Sequence, residues 1–179
     1  LLKVIIPVNR QLSIDGSLDQ AGFFKKSDGS YVFRKEMGKG SAAITAVWVE
    51  KESHLLFTIP EDLELAEFQM IHDALSSLSE VLKTSIDDSQ AFMGYLENGE
   101  TAFLIKRWHR WKDFLLRARH RSLKGQKVEV REVRGILLEY TEEESSPHFE
   151  VKECVILTTF GEQKVTGKNL QIEPTGEFI

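Results

Sequence analysis

"KRWHRWKDFLLRARHRSLKGQK", residues 106–127, decides how the rest of the chain is read. It holds nine Lys/Arg against one acid, Asp113, for a net +8, in a chain whose formal charge is -5. Leu104, Trp108, Trp111, Leu115 and Ala118 recur at i, i+4, i+7, i+11 and i+14, which predicts an amphipathic helix from Thr101 to His120. On both sides of it the texture is that of strands. A helix set between two β-rich segments makes this an α+β chain: an N-terminal antiparallel sheet, two long helices and a C-terminal β-rich segment.

Upstream, "LKVIIPV", "SYVFRKE", "AAITAVWVE" and "HLLFTI" are β-branched or aromatic runs. Turn signals separate them, at Asp15–Ser17, at Asp28–Ser30 and at Gly38–Ser41. The last of these, "GKGS", lacks phosphate-loop spacing and reads as a hairpin turn. The other long helix follows Pro60, with the "EDLE" carboxylates in its first turn. Leu63, Phe68, Ile71, Leu75, Leu78 and Leu82 carry its period to about Lys83. Asp87 or Asp88 is positioned to cap a short helix through Leu96, and "ENGE" makes a turn. Downstream, "KVEVREV", "GILLEYTE", "HFEVKECVILTTF" and "QKVTGKNLQIE" read as strands, with "TEEESSP" as a loop. The resulting division is 1–59, 60–123 and 124–179, within one compact domain or two small ones sharing an interface.

The apolar fraction of 41% and charged fraction of 28% are those of a globular chain with a core of its own. Outside the basic strip the chain carries about -13, so the positive charge is local and not a global attraction to nucleic acid or membrane. Cys154 is the one cysteine, which excludes an intrachain disulfide and a cysteine metal cage. No apolar run approaches the ~20 residues of a membrane span. The opening stretch has neither the charged leader nor the cleavage pattern of a signal peptide, and the single cysteine makes a cytoplasmic location the expectation.

Within the strip, Arg110, Arg117 and Arg121 align at i, i+7 and i+11 on the face opposite the apolar stripe. Lys106, Arg107 and Lys124 extend the row at its two ends, with Arg119 and Lys127 beside it. Such a row neutralises phosphates and releases counterions, giving affinity for nucleic acid without base readout. Docking on an acidic protein partner uses the same charges. Internal pairing with "EDLE", "DD" or "EEE" is the plainer alternative. The two Trp belong to the apolar stripe and read as core.

Few residues look catalytic. The five His are scattered, His72 reads as a satisfied semi-buried residue, and Cys154 sits in an apolar strand. Glu150 and Lys152 of "FEVKE" fall on one face of a strand. With a second acid, taken from Glu139, Glu142, Glu143 or Glu144, Glu150 would be the metal ligand for Mg²⁺ and Lys152 would orient a water for phosphodiester cleavage. A cross-strand ion pair on a solvated face explains the same pattern.

"LLFTIPEDLELAEFQMIHDAL", "AFLIKRWHRWKDFL", "FEVK" and "KVTGKNLQIEP", in this order, resemble a PD-(D/E)XK restriction-endonuclease-like family of bacterial anti-phage defence loci. The resemblance spans roughly residues 55 to 174. It implies a nuclease-like protein with Glu150 and Lys152 at its site. The family's Gly-Glu-Leu helix has no counterpart in this chain, which implies a degenerate or incomplete catalyst. The stretch from "RSLKGQKVEVREVRGILLEYTEEE" to "KNLQIEP" is also similar to a small Sm-like β-barrel. That resemblance implies a non-enzymatic assembly module whose basic helix docks on protein or RNA.

Overall fold

The structure is a computed structural model that describes residues 1–9, 13–35 and 43–176. "GKGS" lies outside the described residues. The chain divides into two compact units, Leu1–Trp111 and Lys112–Ile179.

The first unit contains, in order, β1 (Leu2–Pro7), α1 (Ile14–Gln20), β2 (Phe23–Lys25), β3 (Tyr31–Phe33), β4 (Thr45–Val49), β5 (His54–Ile59), α2 (Leu65–Leu82), β6 (Asp87–Gln90), β7 (Phe92–Tyr95) and β8 (Thr101–Phe103). The helix α3 (Trp108–Leu123) begins in it, and the unit boundary falls inside that helix. Six strands form an antiparallel sheet in the order β2-β3-β4-β5-β1-β6, and β7 and β8 form a separate two-stranded ribbon. Period-two alternation turns Leu2, Val4 and Ile6 of β1 and Leu55, Phe57 and Ile59 of β5 inward. There they join Phe68, Ile71, Leu75, Leu78 and Leu82 of α2 in one apolar core.

The helix α2 starts later than Pro60 and "EDLE" suggested. Glu64 is its N-cap and Glu67, three residues on, returns a carboxylate to the Glu64 N–H at 2.7 Å, a capping box. It ends at Lys83 in the left-handed conformation (φ 51°).

Three other expectations are corrected. First, Asp15–Ser17 is not a turn but part of α1, which makes three helices among the described residues. Leu18 is fully buried and Ile14 packs beside the same core, and that burial outweighs the helix cost of Gly16. Second, residues 87–96 are strands: β6 lies on the sheet edge beside β1, and β7 pairs with β8. Third, the Trp helix does not begin at Thr101. Thr101–Phe103 is β8, and the buried Asp88 carboxylate accepts the N–H groups of Ile105 (2.8 Å) and Lys106 (2.7 Å). Arg107 then turns the chain at φ 64° before α3 starts.

The second unit holds the rest of α3 and then β9 (Lys127–Val130), β10 (Val133–Glu142), β11 (Val151–Thr158), β12 (Gly161–Thr166) and β13 (Glu173–Pro174). They form an antiparallel sheet in the order β12-β11-β10-β9-β13. "KVEVREV" is therefore not one strand. Arg131 (φ 47°) and Glu132 (φ 70°) make a two-residue hairpin turn between β9 and β10, with both central residues at positive φ. Two bulges break the β10–β11 register, at Leu137/Glu139 and at Thr141/Glu142, and the second leaves Lys152 as the extra residue of β11. Leu123, Val128, Val130, Leu137, Val151 and Ile156 are part of this unit's core.

The apolar stripe of α3 also needs correcting. Trp108 and Trp111 pack in the first core, but Ala118 is exposed. The second core takes Leu116 and Leu123 instead. The helix thus carries two apolar stripes, one for each unit.

Candidate nucleic-acid interface and polar cleft

The Trp residues are structural. Trp108 is fully buried, its indole N–H donates to Gln69 Oε1 at 3.0 Å, and His72 stacks on it with ring centres 5.6 Å apart. His72 is itself paired, its Nδ1 lying 3.0 Å from the Leu104 carbonyl. Trp111 packs over Gly94, where a Cβ would come 2.7 Å from the indole nitrogen.

The cations of the strip fall into two groups. In the first unit, Arg107 and Arg110 both reach Glu100, at 3.3 and 2.9 Å, and Arg107 also donates to the Thr101 carbonyl at 2.9 Å. A hydrogen bond from Asn98, helped by these two guanidinium groups, holds the Glu100 carboxyl below its usual range. Glu100 belongs to the "ENGE" turn, outside the acidic stretches expected to pair with the strip. In the second unit, Arg117 pairs with Glu142 of "EEE" at 3.0 Å and lies over the Phe149 ring.

Beyond Arg117 the pattern changes. Arg119, Arg121 and Lys124 are exposed and form no ion pair among the described residues, although the Lys124 ammonium sits 5.4 Å from the centre of the Tyr140 ring. Arg117, Arg121 and Lys124 are spaced i, i+4 and i+7, so they line one edge of the helix end. Lys106 is exposed, just before α3.

Glu150 and Lys152 line one cleft of about 580 Å³ in the second unit, with Glu143, Ser145, Lys168 and Asn169. Their alignment does not come from strand periodicity. Glu150 precedes β11, and Lys152 is the bulged residue. Backbone bonds set the walls: Glu143 N–H donates to the Glu150 carbonyl (2.8 Å), and Gly167 N–H to the Lys152 carbonyl (2.9 Å). Glu143 is the second acid present. The Ser145 backbone N–H and hydroxyl, with Lys152 3.9 Å away, hold its carboxyl below the usual range. Glu139 is exposed on β10, Glu142 is engaged by Arg117, and Glu139, Glu142 and Glu144 are not among the cleft's lining residues.

Mg²⁺ takes oxygen ligands in a near-octahedral array and is commonly held by one or two carboxylates with waters and substrate phosphates, so Glu143 and Glu150 are the side chains of this cleft that would hold it. Among the described residues no three His, Cys, Asp or Glu side chains gather to hold a metal ion.

A smaller cavity of about 240 Å³ shares Glu150 and Asn169 with that cleft, and is lined also by Asp113, His120, His148 and Gln171. Asp113, the lone acid of the strip, is only 7% exposed. Its Oδ1 is buried without a hydrogen-bond partner among the described residues, and its Oδ2 lies 3.6 Å from His148 Nδ1. Asp113, Leu116, His120 and Leu123 are spaced i, i+3, i+7 and i+10, a pattern that marks Asp113 as inward-facing once the second stripe is recognised. His120 packs edge-on against Phe149, and its Nδ1–H donates to the Leu116 carbonyl, 2.8 Å away. Burial pushes its imidazole below the ordinary range. Cys154 is buried and its thiol is pushed up to about 11 by burial, so it is not a nucleophile at neutral pH.

Compared with known proteins, the chain matches no family model, no curated protein and no solved structure. No helix among the described residues is long and apolar enough to cross a membrane.

Proposed function

We propose that this chain binds the phosphate backbone of nucleic acid through the second half of α3, with Arg117, Arg119, Arg121 and Lys124 as the contacts. The carrying observation is the contrast along one strip. Arg107 and Arg110 share the Glu100 carboxylate, whereas Arg119, Arg121 and Lys124 stand exposed without an ion pair among the described residues. Glu142 and the Phe149 ring hold the Arg117 guanidinium in place, so less side-chain freedom is lost on binding. The positive charge late in the helix also faces its negative dipole end, and three exposed cations exceed what that end requires.

No cleavage step follows from Glu150 and Lys152, and the activity proposed is binding. The test is fluorescence anisotropy with labelled single-stranded and duplex DNA and RNA at 50 mM salt. Binding weakened at least tenfold in Arg119→Glu/Arg121→Glu supports the reading. Unchanged binding in that variant, or none by the folded wild type, rejects it.

A further inference from the structure

The β7–β8 ribbon of the first unit presents an aromatic face that its core does not use. Met93 and Ala102 turn inward, and Trp111 covers Gly94 on the same side. The bulge between Phe92 and Gly94 brings Phe92 and Tyr95 onto the other side, where Phe103 lies opposite Phe92. The ring centres are 5.1 Å apart for Phe92–Tyr95 and 6.2 Å for Phe92–Phe103, both edge-on. Phe92 is 43% exposed and Tyr95 62%.

Cross-strand pairing explains Phe92 and Phe103, since facing aromatic residues stabilise a two-stranded ribbon. It does not explain Tyr95, which stands opposite Thr101 and adds nothing to the core. At 62% exposed, Tyr95 offers most of its ring to a planar partner. Cations adjoin the ribbon at both ends, Lys106 at the Phe103 end and Arg107 and Arg110 on Glu100 at the turn end. The Phe103 N–H donates to the Lys106 carbonyl at 2.9 Å, Arg107 binds the Thr101 carbonyl, and Asp88 fixes the Lys106 backbone. Glu97 and Glu100 stand at the other end, in the turn, with Glu100 neutralised by Arg107 and Arg110. An exposed aromatic face with cations at its border suits a ligand that is both planar and anionic.

We infer that the Phe92–Tyr95–Phe103 face is a stacking platform for unpaired nucleobases, with Lys106 beside it for the adjoining phosphate. This rests on the proposed nucleic-acid reading for its class of ligand, but on residues that reading does not use. It makes single strands the preferred substrate, because duplex bases keep their faces stacked on one another.

The test measures anisotropy with three labelled probes: a 12-residue oligo-dT, a strand of 12 abasic residues with the same phosphates, and a 12-base-pair duplex. Stacking predicts oligo-dT binding about 5- to 100-fold tighter than the abasic strand. Tyr95→Ala collapses that ratio and Tyr95→Trp preserves it. Tyr95 is exposed enough for either change to leave the fold intact, which thermal melts check. Equal affinity of the wild type for oligo-dT and the abasic strand overturns the inference, as does a ratio unchanged in Tyr95→Ala. The two readings fail separately. Arg119→Glu/Arg121→Glu lowers binding of both strands and leaves their ratio alone if both readings hold. A ratio that depends on Tyr95, with no effect of the arginine changes, sinks the α3 reading and keeps this one. Absence of all binding sinks both.

Discussion

Replacing Asp113 with leucine should stabilise the second unit. The residue is 7% exposed, so its carboxylate has left water, and Oδ1 gains no hydrogen-bond partner among the described residues in exchange. A buried acceptor left unpaired costs roughly 1–3 kcal/mol, more when charged. Against this stands the contact with His148 at 3.6 Å. The His148 side chain is 51% exposed, and solvent screening limits such a pair to about 1 kcal/mol at most. Leucine branches at the same carbon, placing methyl groups where the oxygens were, next to Leu116, Val151 and Leu170. Full burial of such a side chain contributes about 1.5–3 kcal/mol, less some crowding. The expected net gain is about 1–3 kcal/mol, with Asp113→Asn between the two. Urea denaturation followed by circular dichroism measures it as a raised midpoint. A midpoint lowered by the equivalent of 1 kcal/mol or more, with a native spectrum, refutes the reasoning, because it would mean the carboxylate contributes to folding. A gain would mean that this charge is retained beside His148 and Glu150 for a reason other than stability.

Gly135→Ala should cost about 1–3 kcal/mol, because its Cβ would lie 2.2 Å from the Leu157 carbonyl oxygen, a backbone atom; an unshifted urea midpoint contradicts this. Stability of the second unit should fall as pH drops from 7 towards 5. Burial depresses the His120 imidazole, so the unfolded chain takes up that proton first, and the loss runs from the ordinary histidine range down to the lowered one. His120→Gln should flatten that slope in urea titrations at several pH values, and an unaltered slope would exclude His120 as its source. Phe160→Ser should change stability by less than about 0.5 kcal/mol, since the ring is 92% exposed at the β11–β12 turn. A larger loss would show that Phe160 packs against something in solution.

Local chemistry made much of the fold legible. Most β-branched runs became strands, although "QKVTGKNLQIE" leaves its strand after Thr166; the 3.6-residue period of Phe68 to Leu82 became α2, and the turns at Asp28–Ser30 and "ENGE" are where Asx-type residues and glycine put them. What stayed hidden was set by contacts distant in sequence. "IDGSLDQ" looks like a turn until Leu18 is seen to be buried. "DDSQ" is too polar to read as a strand, and it pairs only because β1 offers an edge. The Arg131–Glu132 turn carries no glycine or asparagine to announce it. At the site, the basic strip was visible as composition, but its division into paired and unpaired halves depends on Glu100 and Glu142 reaching it. Asp113 was counted as one acid among nine cations. Its burial shows only when Leu116, His120 and Leu123 are recognised as a second stripe.

The most direct test of phosphate binding by α3 is the salt dependence of single-strand affinity, measured between 50 and 200 mM salt. Three to four phosphate contacts predict a log–log slope of about -2 to -3, at roughly 0.7 per contact. Arg119→Glu/Arg121→Glu should flatten that slope by about 1.4 or more. A flat slope in the wild type, or the same slope in the variant, would contradict the account.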